Sequence, residues 1–208
     1  MTTLPELRVT VFSDYICPFC YVGSERLERL RDRFELKINW CLLEIHPDTP
    51  PEGKPVSELG YSGSQWSQLM AALGQMVEQD GLPYSGHDFT TNSRSALLLA
   101  ESVKEEGAEV FYPLHRKLFE AFFVHGENIG NRDVLRRVAS DVSIPLRVVE
   151  RAWSDERYDE RLKQYTVAAH ELSVAATPTF FIGRRRLDGA VSVSALADAA
   201  DHALNTVD

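Results

Sequence analysis

Two cysteines three positions apart, Cys17 and Cys20, stand where an apolar run ends and a helical pattern begins, and few folds place such a pair there. The run before them, Arg8 to Asp14, reads as a short strand. Val9, Thr10, Val11 and Phe12 supply β-formers on both faces, as in a strand buried between helices. After the first cysteine, Pro18 suits the opening turn of a helix, where its missing N–H costs nothing, and Val22, Leu27 and Leu30 follow among charged residues. A sulfur at that point meets unpaired N–H groups and the positive end of the helix dipole, both of which favour the thiolate. Cys17 is therefore expected to ionise below the free-thiol value of about 8.5. Cys20 lies on the same helical face, deeper and within disulfide reach. These positions make Cys17 the nucleophile that forms a mixed disulfide and Cys20 the thiol that resolves it.

Leu36 to Ile45 reads as a second strand, with Leu36, Ile38, Trp40 and Leu42 alternating on one face, ended by His46-Pro47 and the proline-rich stretch Pro50 to Pro55. Helical periods then dominate. Trp66, Leu69, Met70, Leu73, Met76 and Val77 mark one helix stopped at Gly81-Leu82-Pro83, and Ala96 to Val103 a second closed by Gly107. Phe111, Leu114, Leu118, Phe119, Phe122 and Phe123 form an amphipathic stripe that we read as core packing. Shorter helical segments follow around Val134 to Val138, Leu146 to Trp153 and Tyr158 to Leu172. The chain returns to β character at Thr179 to Ile182 and Arg186 to Leu187, a hairpin turned near Gly183-Arg184, before a last helix from Ser194 to Leu204. The order β-α-β, helical block, β-β-α predicts an α/β core formed by residues 1–50 and 175–208, with an all-helical subdomain, residues 51–174, inserted between its halves.

A net charge of −9 repels phosphate backbones, so nucleic acid is not expected as a partner. No stretch approaches the roughly 18 apolar residues of a membrane span, and no membrane partner is expected. Met1 to Arg8 lacks a basic segment followed by a long apolar run, so a cytoplasmic location is the default expectation. No glycine-rich dinucleotide fingerprint follows a strand, and no cofactor is expected. The competing reading of Cys17 and Cys20 is half of a zinc site. A closed site needs four ligands, and Cys41, His46, His87, His115, His125, His170 and His202 supply no second pair at matched spacing, so no metal is expected. Cys41, in mid-strand, reads as a small buried residue. His115 and His125 read as surface or satisfied histidines. Arg184, Arg185 and Arg186 read as a solvated edge that could attract an acidic peptide or the carboxylates of a small thiol.

The segment Ser13-Asp14-Tyr15-Ile16-Cys17-Pro18-Phe19-Cys20-Tyr21-Val22-Gly23 resembles the active-site segment of the DsbA-like oxidoreductases, in particular the FrnE-like subgroup. Ala176-Thr177-Pro178-Thr179-Phe180-Phe181-Ile182 resembles the family's cis-proline loop and following strand, and the likeness continues through Asn92-Ser93-Arg94-Ser95-Ala96. The resemblance implies a thioredoxin fold and a cis Thr177–Pro178 bond facing the cysteine pair. From the residues alone Pro178 reads as an ordinary trans proline opening a strand. It also implies that the Thr177 backbone pairs with an extended substrate segment beside Cys17, that Pro178 keeps a metal from bridging the sulfurs, and that Pro18 and Phe19 share in the docking surface.

The strongly oxidising relatives carry a histidine where this chain has Phe19, which has neither charge nor hydrogen bond to offer. Asp14 nearby would oppose a thiolate. The expectation is thus a disulfide reductase or isomerase acting on protein or low-molecular-weight thiol substrates with an unidentified electron donor. Two alternatives stay open. One is a kappa-type glutathione-dependent transferase or isomerase, although those relatives place a serine at the Cys17 position. The other is a non-catalytic module that binds peptide or metal.

Overall fold

The computed structural model describes residues 4–86 and 88–205. Met1–Thr3, at the head of the segment read for a leader, and His87, weighed above as a metal ligand, lie outside the described residues, as does the chain end. In chain order the elements are β1 (Glu6–Ser13), α1 (Pro18–Glu28), β2 (Glu35–Leu42), β3 (Lys54–Pro55), α2 (Gly63–Asp80), β4 (Phe89–Thr90), α3 (Arg94–Lys104), α4 (Ala108–Phe119), α5 (Arg132–Asp141), α6 (Leu146–Ser154), α7 (Glu156–Glu171), β5 (Thr179–Ile182), β6 (Arg185–Asp188) and α8 (Val193–Asn205). They pack as two compact units: the chain up to Leu43 together with Tyr165 onward, and Glu44–Gln164.

The first unit holds a four-stranded sheet in the order β2-β1-β5-β6, with β1 parallel to β2 and antiparallel to β5. Its register pairs Val11 with Trp40 and with Phe180, and Phe12 with Cys41 and with Thr179. Side chains alternate across a strand, so neighbours in the register share a face. Phe12 and Cys41 therefore point to one side, where the end of α7 covers them through Ala169, Ala168 and Tyr165, with Phe181 and Val174 completing the cluster. On the other side Phe180 meets α1 at Gly23, and α8 packs against α1, β5 and β6. From Val11 to Ser13 the strand is buried on both faces, as its composition implied. Cys41 is 4% exposed and is a small core residue; Asn39 hydrogen-bonds its sulfur at 3.5 Å. This β-α-β plus β-β-α arrangement is the thioredoxin fold that the resemblance implied.

The second unit is mostly helical. α2 begins at a capping box, in which the Ser62 hydroxyl accepts from the Gln65 N–H at 3.2 Å while the Gln65 side chain accepts from the Ser62 N–H at 2.9 Å. It ends at Gly81, whose φ of 65° is the left-handed conformation that stops a helix. The Phe111–Phe123 stripe is core, as its period implied, although α4 stops at Phe119 and continues as a wider π turn over Glu120–Val124. Within this unit Asn92 donates to the Pro47 carbonyl at 3.0 Å, and Arg94 binds both Glu44 and Asp159. The Asn92–Ala96 segment thus holds loops to α3 and α7. Two features differ from the sequence reading. β2 ends at Leu42 rather than at Ile45, and the proline-rich stretch carries β3, a two-residue ladder with β4.

Candidate functional site

The first turn of α1 follows β1 after four residues, and that short connection fixes both sulfurs. Cys17 is the N-cap residue, with extended backbone (φ −90°, ψ 113°), and Pro18 is the first helical residue. The Cys17 carbonyl accepts from the Cys20 and Tyr21 N–H groups at 3.0 and 3.3 Å, while its own N–H donates to the Asp14 carbonyl at 3.2 Å. Cys17 is 5% exposed and Cys20 1%, so the first sulfur lies nearer the surface. Pro18 and Phe19, between them, are half-buried.

Across from this turn lies the loop before β5. The Thr177–Pro178 peptide is cis, and the Cys17 thiol donates to the Thr177 carbonyl at 3.3 Å. The contact spans 160 residues of sequence, so the fold unites what the chain keeps apart. Pro178 is buried beneath α1. A Cβ on Gly23 would stand 3.0 Å from Pro178 Cγ and 3.0 Å from Phe180 Cζ, and only glycine lets the helix approach the loop this closely. Cys17, Cys20, Thr177 and Pro178 therefore converge on one spot, with Pro18 and Phe19 at the helix end beside it.

The two sulfurs sit in opposite electrostatic settings. Cys17 is held below its ordinary pKa, chiefly by the hydrogen bond from the Cys20 thiol, with the Thr177 side chain and the Cys20 backbone N–H adding to it; burial and the Asp14 charge oppose this. Cys20 is pushed well above its ordinary value, first by burial and then by its bond to Cys17 and the Cys17 charge. The Ser13 side chain and the Asp14 backbone, both polar, resist that rise. Ser13, 1% exposed, was not singled out from sequence. The available signal was a hydroxyl closing a strand end that is otherwise apolar. Asp14 is itself fully buried, and its carboxylate accepts from the Ile16 N–H at 3.3 Å.

The other sequence candidates lie apart from this cluster. His115 is not a surface histidine: it is 3% exposed among aromatic rings in the helical unit. Arg184, Arg185 and Arg186 are exposed on the hairpin, where Arg186 pairs with Asp188. Among the described residues no three His, Cys, Asp or Glu side chains gather as a metal site, and no helix is long and apolar enough to cross a membrane.

Comparison with known proteins follows the same outline. An uncharacterized Bacillus subtilis protein, YwbO, is 26% identical over 190 residues, which cover 88% of this chain and 90% of that one. The fold is similar to that of a probable DsbA oxidoreductase from Streptomyces coelicolor, with a TM-score of 0.84 at 21% identity over 98% of this chain and 92% of that structure. It is also similar to a 2-hydroxychromene-2-carboxylate isomerase structure, with a TM-score of 0.77 at 21% identity over 95% of this chain and 96% of that one. The family model for the DSBA-like thioredoxin domain matches residues 8–201, and the chain belongs to that family of thiol-disulfide oxidoreductases.

Proposed function

We propose that this protein exchanges dithiol for disulfide through Cys17 and Cys20, as a reductase or isomerase of protein or low-molecular-weight disulfides in the cytoplasm. The observation that carries the reading is the opposed setting of the two sulfurs at one helix start: Cys17 favoured as thiolate, Cys20 as thiol. The Cys17 thiolate attacks a substrate disulfide, breaking its S–S bond and releasing one substrate sulfur as a thiolate. Cys20 then loses its proton and attacks the Cys17 sulfur, which releases the second substrate thiolate and closes the Cys17–Cys20 bridge. The electrons come from the two cysteines, and an external thiol donor must return them. Thr177 sits where its backbone can pair with an extended segment beside Cys17, and Phe19 offers that segment a half-buried apolar contact.

The direction follows from how strongly the Cys17 thiolate is favoured. Its donors are neutral, the buried Asp14 charge opposes them, and Phe19 adds nothing, so the reduced form is only moderately stabilised and the disulfide is a modest oxidant. Equilibration against glutathione buffers tests this, together with insulin reduction and reshuffling of scrambled disulfides. A potential near the cytosolic glutathione range and activity in either assay support the reading. A far more oxidising potential overturns the assigned direction. Glutathione-dependent transfer or isomerisation that persists undiminished in Cys17→Ser would instead favour a kappa-type enzyme.

A further inference from the structure

An amphipathic helix is held in place by burying its apolar face, and α2 buries its own far less than α3 does. Trp66, Leu69, Met70, Leu73, Met76 and Val77 recur three and four residues apart, so they line one side of the helix. Of the six only Leu73 is buried, at 1% exposure, and the other five are half-buried. In α3 the corresponding residues Ala96, Leu97, Leu99, Ala100 and Val103 are all at 0%. Tyr61, just before α2, is 44% exposed, and its ring lies 5.9 Å from that of Trp66, which carries the open apolar strip past the helix start. We propose that this face of α2 pairs with the same face of a second copy of the chain, the two helices antiparallel about a twofold axis near their middle. The inference is independent of which sulfur attacks.

Charge selects the occupant. The chain carries a net charge of −9, so two copies repel unless they meet on a surface free of acids. From Gly63 to Val77 the helix has no charged residue. No lysine or arginine lies between Lys54 and Arg94, so an acidic partner would find no cation there to receive it. The charges α2 does carry, Glu78 and Asp80, fall in its last turn, where they oppose its own dipole, while its first turn has no acid to meet the positive end. Antiparallel pairing brings Glu78 of each copy beside the N-terminus of the other, and each helix end gains the opposite charge it lacks. The same arrangement sets Trp66 across from the partner's Val77 and Met70 across from the partner's Leu73, so the stripe meets itself. Over 18 residues the seam is about 27 Å long. One helix pair is smaller than a standard interface, and a dissociation constant of about 10–100 μM is expected.

Sedimentation velocity of the full chain, from about 1 to about 200 μM, reads the pairing. The parent is expected to pass reversibly from monomer to dimer across that range. Met70→Glu puts two like charges at the seam and should leave the protein monomeric throughout, with its circular dichroism spectrum unchanged. Glu78→Lys decides the case should Met70→Glu fold poorly. A lysine in the last turn suits its own helix yet repels the partner's N-terminus, so pairing should weaken about tenfold while the monomer keeps its stability. A parent that stays monomeric overturns the proposal, as does a dimer that neither variant weakens. Pairing abolished by Met70→Glu but untouched by Glu78→Lys overturns the antiparallel order. A monomeric parent that binds reduced, carboxymethylated lactalbumin, with binding lost in Met70→Glu, gives the face to unfolded polypeptide and overturns the second copy as its occupant.

Discussion

Cys17 in the α/β unit and His115 in the helical unit are almost equally inaccessible, at 5% and 3% exposure, yet their surroundings drive them toward opposite charge states. His115 sits among Phe111, Tyr112 and Phe119, with ring centroids 5.3, 6.5 and 5.1 Å away. Burial, reinforced by the Lys104 and Arg116 charges, pushes its pKa down to about 3, so it stays neutral. Cys17 meets a thiol, a hydroxyl-bearing side chain and a helix-start N–H, and its charged form is favoured despite the burial. The same depth gives an inert ring in one unit and a reactive sulfur in the other. Burial favours the neutral form at both, and at Cys17 the donors aimed at the sulfur outweigh it.

The contrast breaks most directly at Cys17 itself. Cys17→Ser keeps the shape but removes the soft nucleophile, and reaction with a disulfide reporter should fall at least about a thousandfold; residual rates near the parent's would mean that Cys20 or Cys41 carries the chemistry. The His115 side is tested by acid. Its folded pKa lies below the unfolded value of 6.5, so its contribution to stability is complete above pH 6.5 and is lost as pH falls toward about 3. The slope from this one residue approaches about 1.4 kcal/mol per pH unit. Urea titrations of parent and His115→Leu at pH 7 and pH 4 should show the variant losing less stability on acidification, and parallel losses would remove His115 from the account.

Some of this was legible in the chain and some was not. The strand, the helix start, the position of Pro18 and the hairpin at Gly183 follow from local patterns, because alternation and turn chemistry act over a few residues. The placement of Thr177 beside Cys17 came from the resemblance: no local rule connects residues 160 positions apart. The cis Pro178 likewise runs against the local expectation of a trans proline. β3 and β4 were invisible, since two-residue ladders leave no periodicity to detect. Which of the two readings held for His115, surface or enclosed, was not legible, because a histidine in a helical pattern does not show which way its neighbours will close over it. Ser13 passed unnoticed for the same kind of reason, as its partner Cys20 is reached only after the chain turns into α1.

Two smaller effects sharpen the comparison by probing how rigidly the donor-rich pocket is held. Gly23→Ala should gain helix propensity yet cost about 1 kcal/mol or more overall. The new methyl would press on the Pro178 ring, which its own main chain fixes, and on Phe180. A more stable variant in thermal melts would mean that the loop yields. Cys41→Ala should cost less than about 1 kcal/mol and leave the rate of reaction with a disulfide reporter unchanged. Here the sulfur is buried at 4% exposure and accepts from the Asn39 amide at 3.5 Å.

The sheet order leaves β2 and β6 with open ladders. On β2 the outward residues Glu35, Lys37 and Asn39 are exposed, and on β6 so are Arg185, Arg186 and Asp188. A stray extended chain, including another copy of this protein in mid-folding, would have to lay its backbone along hydrated charges to lengthen the sheet. Charge along both borders guards the sheet against such additions.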